Sequence, residues 1–118
     1  MGRLSTHVLD TAAGKPAAGV AIELHRLGSD GGWSLVKKAT TNADGRTDEP
    51  LLIGDAYKPG TYQLSFHIGD YFTRCGTATA NPVFLDIVPL RFTLAEPDGH
   101  YHVPLLASPW SYSTYRGS

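Results

Sequence analysis

Gly60-Thr61-Tyr62-Gln63-Leu64-Ser65-Phe66-His67-Ile68 alternates from end to end. Tyr62, Leu64, Phe66 and Ile68 recur at every second position, and a period of two puts them on one side of an extended strand. His67 falls on the other side, where solvent is its expected neighbour. Directly afterwards, Gly69-Asp70 can open one short helix reaching about Gly76, with Asp70 accepting from the free N–H groups of the first turn. No other segment carries a helical signal.

Downstream, Thr77 to Pro82 reads as a loop, and Val83 to Leu94 supplies strand material interrupted by Pro89. Proline cannot donate to a ladder, so Pro89 must sit at an edge, a strand start or a bulge. Pro97-Asp98-Gly99 turns the chain into His100–Ser108, where Tyr101, Val103 and Leu105 share one face and His100 and His102 the other. Ser108-Pro109 breaks that strand before a closing run over residues 110–118. Chain ends are usually polar and disordered, whereas Tyr112-Ser113-Thr114-Tyr115-Arg116-Gly117-Ser118 favours β-structure up to its last residue. A strand ending at Ser118 would hold a hydroxyl and the terminal carboxylate at one defined point.

Upstream, Trp33–Ala39 reads as a strand, and Gly28–Gly32 is a hairpin loop before it. Val20, Ile22 and Leu24 alternate with Ala21, Glu23 and His25, a strand with one polar face. In Arg3–Asp10, Leu4, Thr6 and Val8 point one way and Ser5, His7 and Leu9 the other. Gly14-Lys15-Pro16 makes a turn, and Thr41-Asn42-Ala43-Asp44-Gly45-Arg46 makes a tighter one, because Asn, Asp and Gly supply the conformations that such turns need. About eight short strands separated by Gly and Pro predict an antiparallel β-sandwich. One domain over residues 1–118 accounts for all of them.

The chain has 118 residues, 42% of them hydrophobic, which is enough for a core without disulfides or a structural metal. Its formal charge of -1 advertises neither a nucleic-acid partner nor an anionic membrane. No run of residues is long and apolar enough to span a bilayer, and the N-terminus lacks the pattern of a signal peptide, so a cytoplasmic protein is expected. The lone Cys75 fits a reducing compartment and reads as a small buried hydrophobe.

Three polar groups stand out: His7, Arg46 and His102. On an isolated sandwich they would be scattered surface residues. They gain meaning if a further subunit covers their face, and Leu9 beside His7 and Leu106 beyond His102 suggest such a cover. His100 and His102 also permit a metal reading, since residues two apart on a strand project together. No Cys or carboxylate stands nearby at a ligand-like spacing, so that reading is the weaker one. A Gly-x-Ser-x-Gly elbow, a Ser-x-x-Lys pair and a phosphate-cradling glycine loop are all missing.

Leu4-Ser5-Thr6-His7-Val8-Leu9-Asp10 with Gly14-Lys15-Pro16-Ala17, then Asp44-Gly45-Arg46, His100–Leu106, and the closing Tyr112–Ser118 together resemble the 5-hydroxyisourate hydrolases, enzymatic relatives of transthyretin. The resemblance covers essentially the whole chain. Its closing Tyr-Arg-Gly-Ser is the feature that separates the hydrolases from hormone carriers of the same fold. Ala107 replaces a Leu common before Ser-Pro, which is a packing change only.

The resemblance implies an all-β, transthyretin-like sandwich of two four-stranded sheets with one short helix, assembled as a homotetramer with sites where dimers meet. It implies hydrolytic opening of 5-hydroxyisourate to 2-oxo-4-hydroxy-4-carboxy-5-ureidoimidazoline in urate breakdown, with no cofactor and no metal. It implies catalytic roles for His7, Arg46, His102 and Ser118, and substrate contacts for His7, Arg46 and Tyr115. Either His7 or His102 would activate water, and the other would orient it or protonate the departing ring nitrogen. A non-catalytic carrier of small ligands is the competing reading. Two imidazoles and a guanidinium suit a polar heterocycle better than an apolar hormone.

Overall fold

The computed structural model describes residues 1–77 and 80–117. The alternating stretch is strand β6 (Gly60–His67), with Tyr62, Leu64 and Phe66 at most 1% exposed. It lies inside a four-stranded sheet of order β4-β3-β6-β7, with β3 at Ala21–Leu27, β4 at Trp33–Thr40 and β7 at Ile87–Leu94. The second sheet runs β2-β1-β8-β9, with β1 at Arg3–Asp10, β2 at Lys15–Pro16, β8 at His100–Ala107 and β9 at Tyr112–Thr114. A further two-residue strand, β5 (Leu52–Ile53), also pairs with β1, so this sheet has five members rather than the expected four. The difference is local. β5 takes the start of one edge of β1 and β2 takes its end, so two short pieces together stand in for one strand.

The buried faces of β1 and β8 in one sheet and of β3, β6 and β7 in the other meet in one core containing Leu4, Val8, Ile22, Leu24, Leu64, Phe66 and Leu105. Every strand pair is antiparallel except β1 and β8, which run parallel through eight matched positions from Arg3↔His100 to Asp10↔Ala107. Parallel neighbours need a long crossover. Here the intervening chain, including the whole other sheet, supplies it. Pro89 lies within β7, and β7 is a sheet edge, as the missing donor requires. The loop expected over residues 77–82 lies partly outside the described residues.

The helix α1 spans Ile68–Arg74 and starts one residue earlier than expected. Ile68 is 1% exposed, so the chain must keep it inward while turning straight from strand to helix. No side chain caps it: Asp70 sits within the first turn, and the Gly69 N–H is taken by the Asp86 carbonyl at 2.9 Å. Cys75 follows the helix and is exposed, contrary to the buried position expected, because the inward residues end at Phe72. His25 and His67 are half-buried rather than free in solvent, and His67 Nε2 faces Glu23 Oε1 at 3.4 Å. The buried carboxylate of Asp10 accepts from the Tyr71 hydroxyl at 2.7 Å and the Ala13 N–H at 2.9 Å, which ties α1 to the end of β1.

Candidate functional site

Arg46 reaches the site through a turn built by one side chain. Asn42 Oδ1 accepts from the N–H groups of Asp44 at 2.9 Å and Arg46 at 3.2 Å, while its backbone N–H bonds the Arg46 carbonyl at 2.7 Å. Gly45 closes the turn at φ +76°, a left-handed conformation that only glycine adopts cheaply. A Cβ there would also strike the Val8 carbonyl oxygen. Val8 N–H donates to the Gly45 carbonyl at 2.8 Å, and Arg46 forms an isolated antiparallel bridge with His7. The turn thus fills the gap that β5 and β2 leave along β1, and sets Arg46 beside His7.

On the opposite edge of β1, the parallel register puts Ser5 against His102. The His7 and His102 rings lie 6.3 Å apart between centroids, tilted by 44°. Both are half-buried on the outer face of the sheet, together with Leu9 and Leu106. His7 Nε2 lies 3.0 Å from the Asp44 carbonyl oxygen, which can only accept, so that nitrogen carries the proton. Ser5 Oγ lies 2.8 Å from His102 Nδ1.

Beyond β8 the tail is anchored rather than loose. β9 pairs with Leu105–Ala107, and the Thr114 hydroxyl donates to the Pro104 carbonyl at 2.7 Å. The strand stops at Thr114, short of the expected end, but Gly117 re-forms a bridge to His102, its N–H donating to the His102 carbonyl at 2.7 Å. Arg116 holds the gap between them, its guanidinium 4.2 Å from the Tyr101 ring centre. Ser118 lies outside the described residues.

Tyr115 is 59% exposed and lines an apolar recess of about 350 Å³ with Leu90, Phe92, Tyr101 and Val103. Within one protomer the structure therefore brings His7, Arg46 and His102 together and places Tyr115 at the opening between the sheets. A polar recess of about 250 Å³ adjoins the cluster, between Arg3, Ser5 and Arg46 on one side and Asp48 and Glu49 on the other. A hollow of about 370 Å³ elsewhere holds Glu23, Lys38 and His67, polar groups already facing one another, so volume alone does not mark the site.

Electrostatics keep both imidazoles neutral near pH 7. Burial lowers the His7 pKa below 6.5 and the Arg46 charge lowers it further, against the opposing Asp44 carbonyl. His102 is lowered by burial, then by Arg46 and by His7. None of the ion pairs among the described residues involves Arg46, which leaves its fork of donors available for a ligand. The metal reading finds no support in geometry, since His100 Nε2 bonds the Met1 carbonyl at 2.9 Å while His102 turns to Ser5. Among the described residues no group of three or more His, Cys, Asp or Glu side chains is placed to hold an ion.

Sequence reasoning did not single out Ser5. Its position two residues before His7 was visible, but its partner depends on which residue of a strand 97 positions away lies opposite.

Fold and cluster together define a transthyretin-like β-sandwich with acid–base groups on an outer sheet face. The chain belongs to the HIUase/Transthyretin family, whose sequence model matches residues 4–117. It is 56% identical over 117 residues to 5-hydroxyisourate hydrolase 2 of Rhizobium meliloti, covering 99% of this chain and 97% of that protein. The crystal structure of (S)-allantoin synthase superposes with a TM-score of 0.94 at 50% identity; the match takes in 99% of this chain and only 44% of that longer one. The 5-hydroxyisourate hydrolase of Klebsiella pneumoniae superposes with a TM-score of 0.82 at 34% identity, each chain covered in full at 100%.

Proposed function

We propose that this chain is a 5-hydroxyisourate hydrolase, which opens the cyclic amide of its substrate with water to give 2-oxo-4-hydroxy-4-carboxy-5-ureidoimidazoline in urate degradation. The observation that carries this reading is the convergence of two neutral imidazoles and the Arg46 guanidinium on one sheet face, beside the chain's own anchored tail. Family membership and the names of its full-length relatives point the same way.

The chemistry needs a base for water, donors for the growing oxyanion and a proton for the departing nitrogen. One imidazole takes a proton from water as its oxygen adds to the ring carbonyl carbon. Arg46 stabilises the negative charge that develops on the carbonyl oxygen. Collapse of the tetrahedral intermediate breaks the ring C–N bond, and the departing nitrogen takes up the proton that the first imidazole gained from water, directly or passed on through the other imidazole. No redox partner enters this balance. Ser118 completes the pocket in this reading, at the end of a tail that Gly117 holds against His102.

The working form is a homotetramer, a dimer of dimers with sites at the dimer–dimer interface, each subunit one domain over residues 1–118. Half-buried Leu9 and Leu106 beside the imidazoles support a covered face. Tyr115 reaches substrate only in such an assembly. A free, exposed Cys75 suits a cytoplasmic location.

The test is to add the pure protein to 5-hydroxyisourate freshly made from urate and follow its ultraviolet decay. Decay faster than the spontaneous reaction supports the reading; an unchanged rate, with folded protein in micromolar amounts, removes it.

A further inference from the structure

Ser5 is the hydroxyl beside the imidazoles that the reaction outlined above does not use. Its Oγ lies 2.8 Å from His102 Nδ1 in a half-buried contact between residues 97 apart in the chain. Backbone register fixes this contact, because Ser5 and His102 are direct partners across the parallel β1–β8 pair. The other edge of the ring is closed by the tail: a Cβ on Gly117 would lie 3.0 Å from His102 Cδ2. The imidazole is thus held between a hydroxyl on its Nδ1 edge and a backbone on its Cδ2 edge. Rotating the ring by half a turn would set carbon against Ser5 and lose the hydrogen bond.

The two nitrogens of a neutral imidazole are not equivalent, and a partner on one decides what the other can do. His7 is clamped through Nε2 by the Asp44 carbonyl, which leaves Nδ1 with its lone pair free. His102 is held through the opposite nitrogen. We propose that Ser5 is a positioning residue for the hydrolytic site: it fixes the flip state of His102 and occupies Nδ1, so that Nε2 is the only nitrogen this ring presents to substrate. The assignment rests on the hydrolase reading, since it gives the ring its task.

Two variants and one spectrum test it. Ser5→Ala should lower kcat by roughly tenfold or more with little change in KM, the size of loss seen when a group orienting a functional side chain is removed. Ser5→Thr keeps a hydroxyl at the same atom and should restore most of that loss. In ¹⁵N spectra of the histidine rings, Ser5→Ala should move the His102 nitrogens towards the values of a freely exchanging imidazole while those of His7 stay. A normal kcat in Ser5→Ala, a Ser5→Thr protein as impaired as Ser5→Ala, or His102 nitrogens unmoved in Ser5→Ala would each overturn the proposal. Wild-type protein inert towards 5-hydroxyisourate would instead overturn the hydrolase reading, and the spectra would still decide whether Ser5 holds the ring.

Discussion

Arg46 acts on its neighbours before any substrate arrives. After burial, its charge is the next cause that lowers both His7 and His102. An imidazole serves as a base only above its own pKa, so the acid limb of the kcat/KM profile should fall below pH 6.5. Removing the guanidinium relieves part of the depression, and Arg46→Ala should move that limb upward towards 6.5. In the proposed mechanism the same variant also loses a donor to the developing oxyanion, which typically costs about 2.7–4 kcal/mol, or roughly a hundredfold or more in kcat. A pH–rate series on both proteins checks the two effects together. Stability carries the matching sign. The folded chain binds these protons less readily than the unfolded one, so acidification through the interval below 6.5 favours unfolding.

The turn over residues 41–46 and the C-terminal tail each place one group and have different weak points. Gly45 combines a left-handed φ of +76° with close approach to Val8 and His7, so Gly45→Ala should cost about 1–3 kcal/mol and lower Tm visibly in a thermal melt. Gly117 has no such strain, only a ring against it. Gly117→Ala should leave Tm nearly unchanged and lower kcat, because the added methyl displaces His102 rather than the core. A melt and a turnover assay on the pair separate the two cases. Much of this was legible beforehand: the period of two in β1, β6 and β8 gave the outward faces of His7 and His102, and Asn-Ala-Asp-Gly gave the turn before Arg46. Other features were not, because they are settled by partners remote in sequence. The parallel register of β1 on β8, the sharing of one β1 edge among β5, Arg46 and β2, and the placement of Tyr115 at the opening between the sheets are of this kind. Asp70 and Cys75 were misread for a related reason, since tertiary contacts at Ile68 and Phe72 decided where the helix starts and which side it buries.

For the assembled protein, sedimentation at micromolar concentration should give a species four times the 12.7 kDa chain, and dilution that dissociates it should remove activity together with mass. Dialysis against a chelator should leave turnover intact, as the proposed reaction runs on imidazole and guanidinium alone. The parallel seam between β1 and β8 has one more consequence, for how the protein is made. His7 emerges from the ribosome well before His102, yet they share a pair of strands whose partners lie 97 residues apart. A nascent chain can assemble the other sheet once residue 94 is out, and β2, Arg46 and β5 can already line one edge of β1, but its second edge has no partner until β8 follows. Prematurely terminated translation products therefore carry half of the chemistry and none of the activity, and β1 waits with an unsatisfied edge for which chaperones and proteases compete.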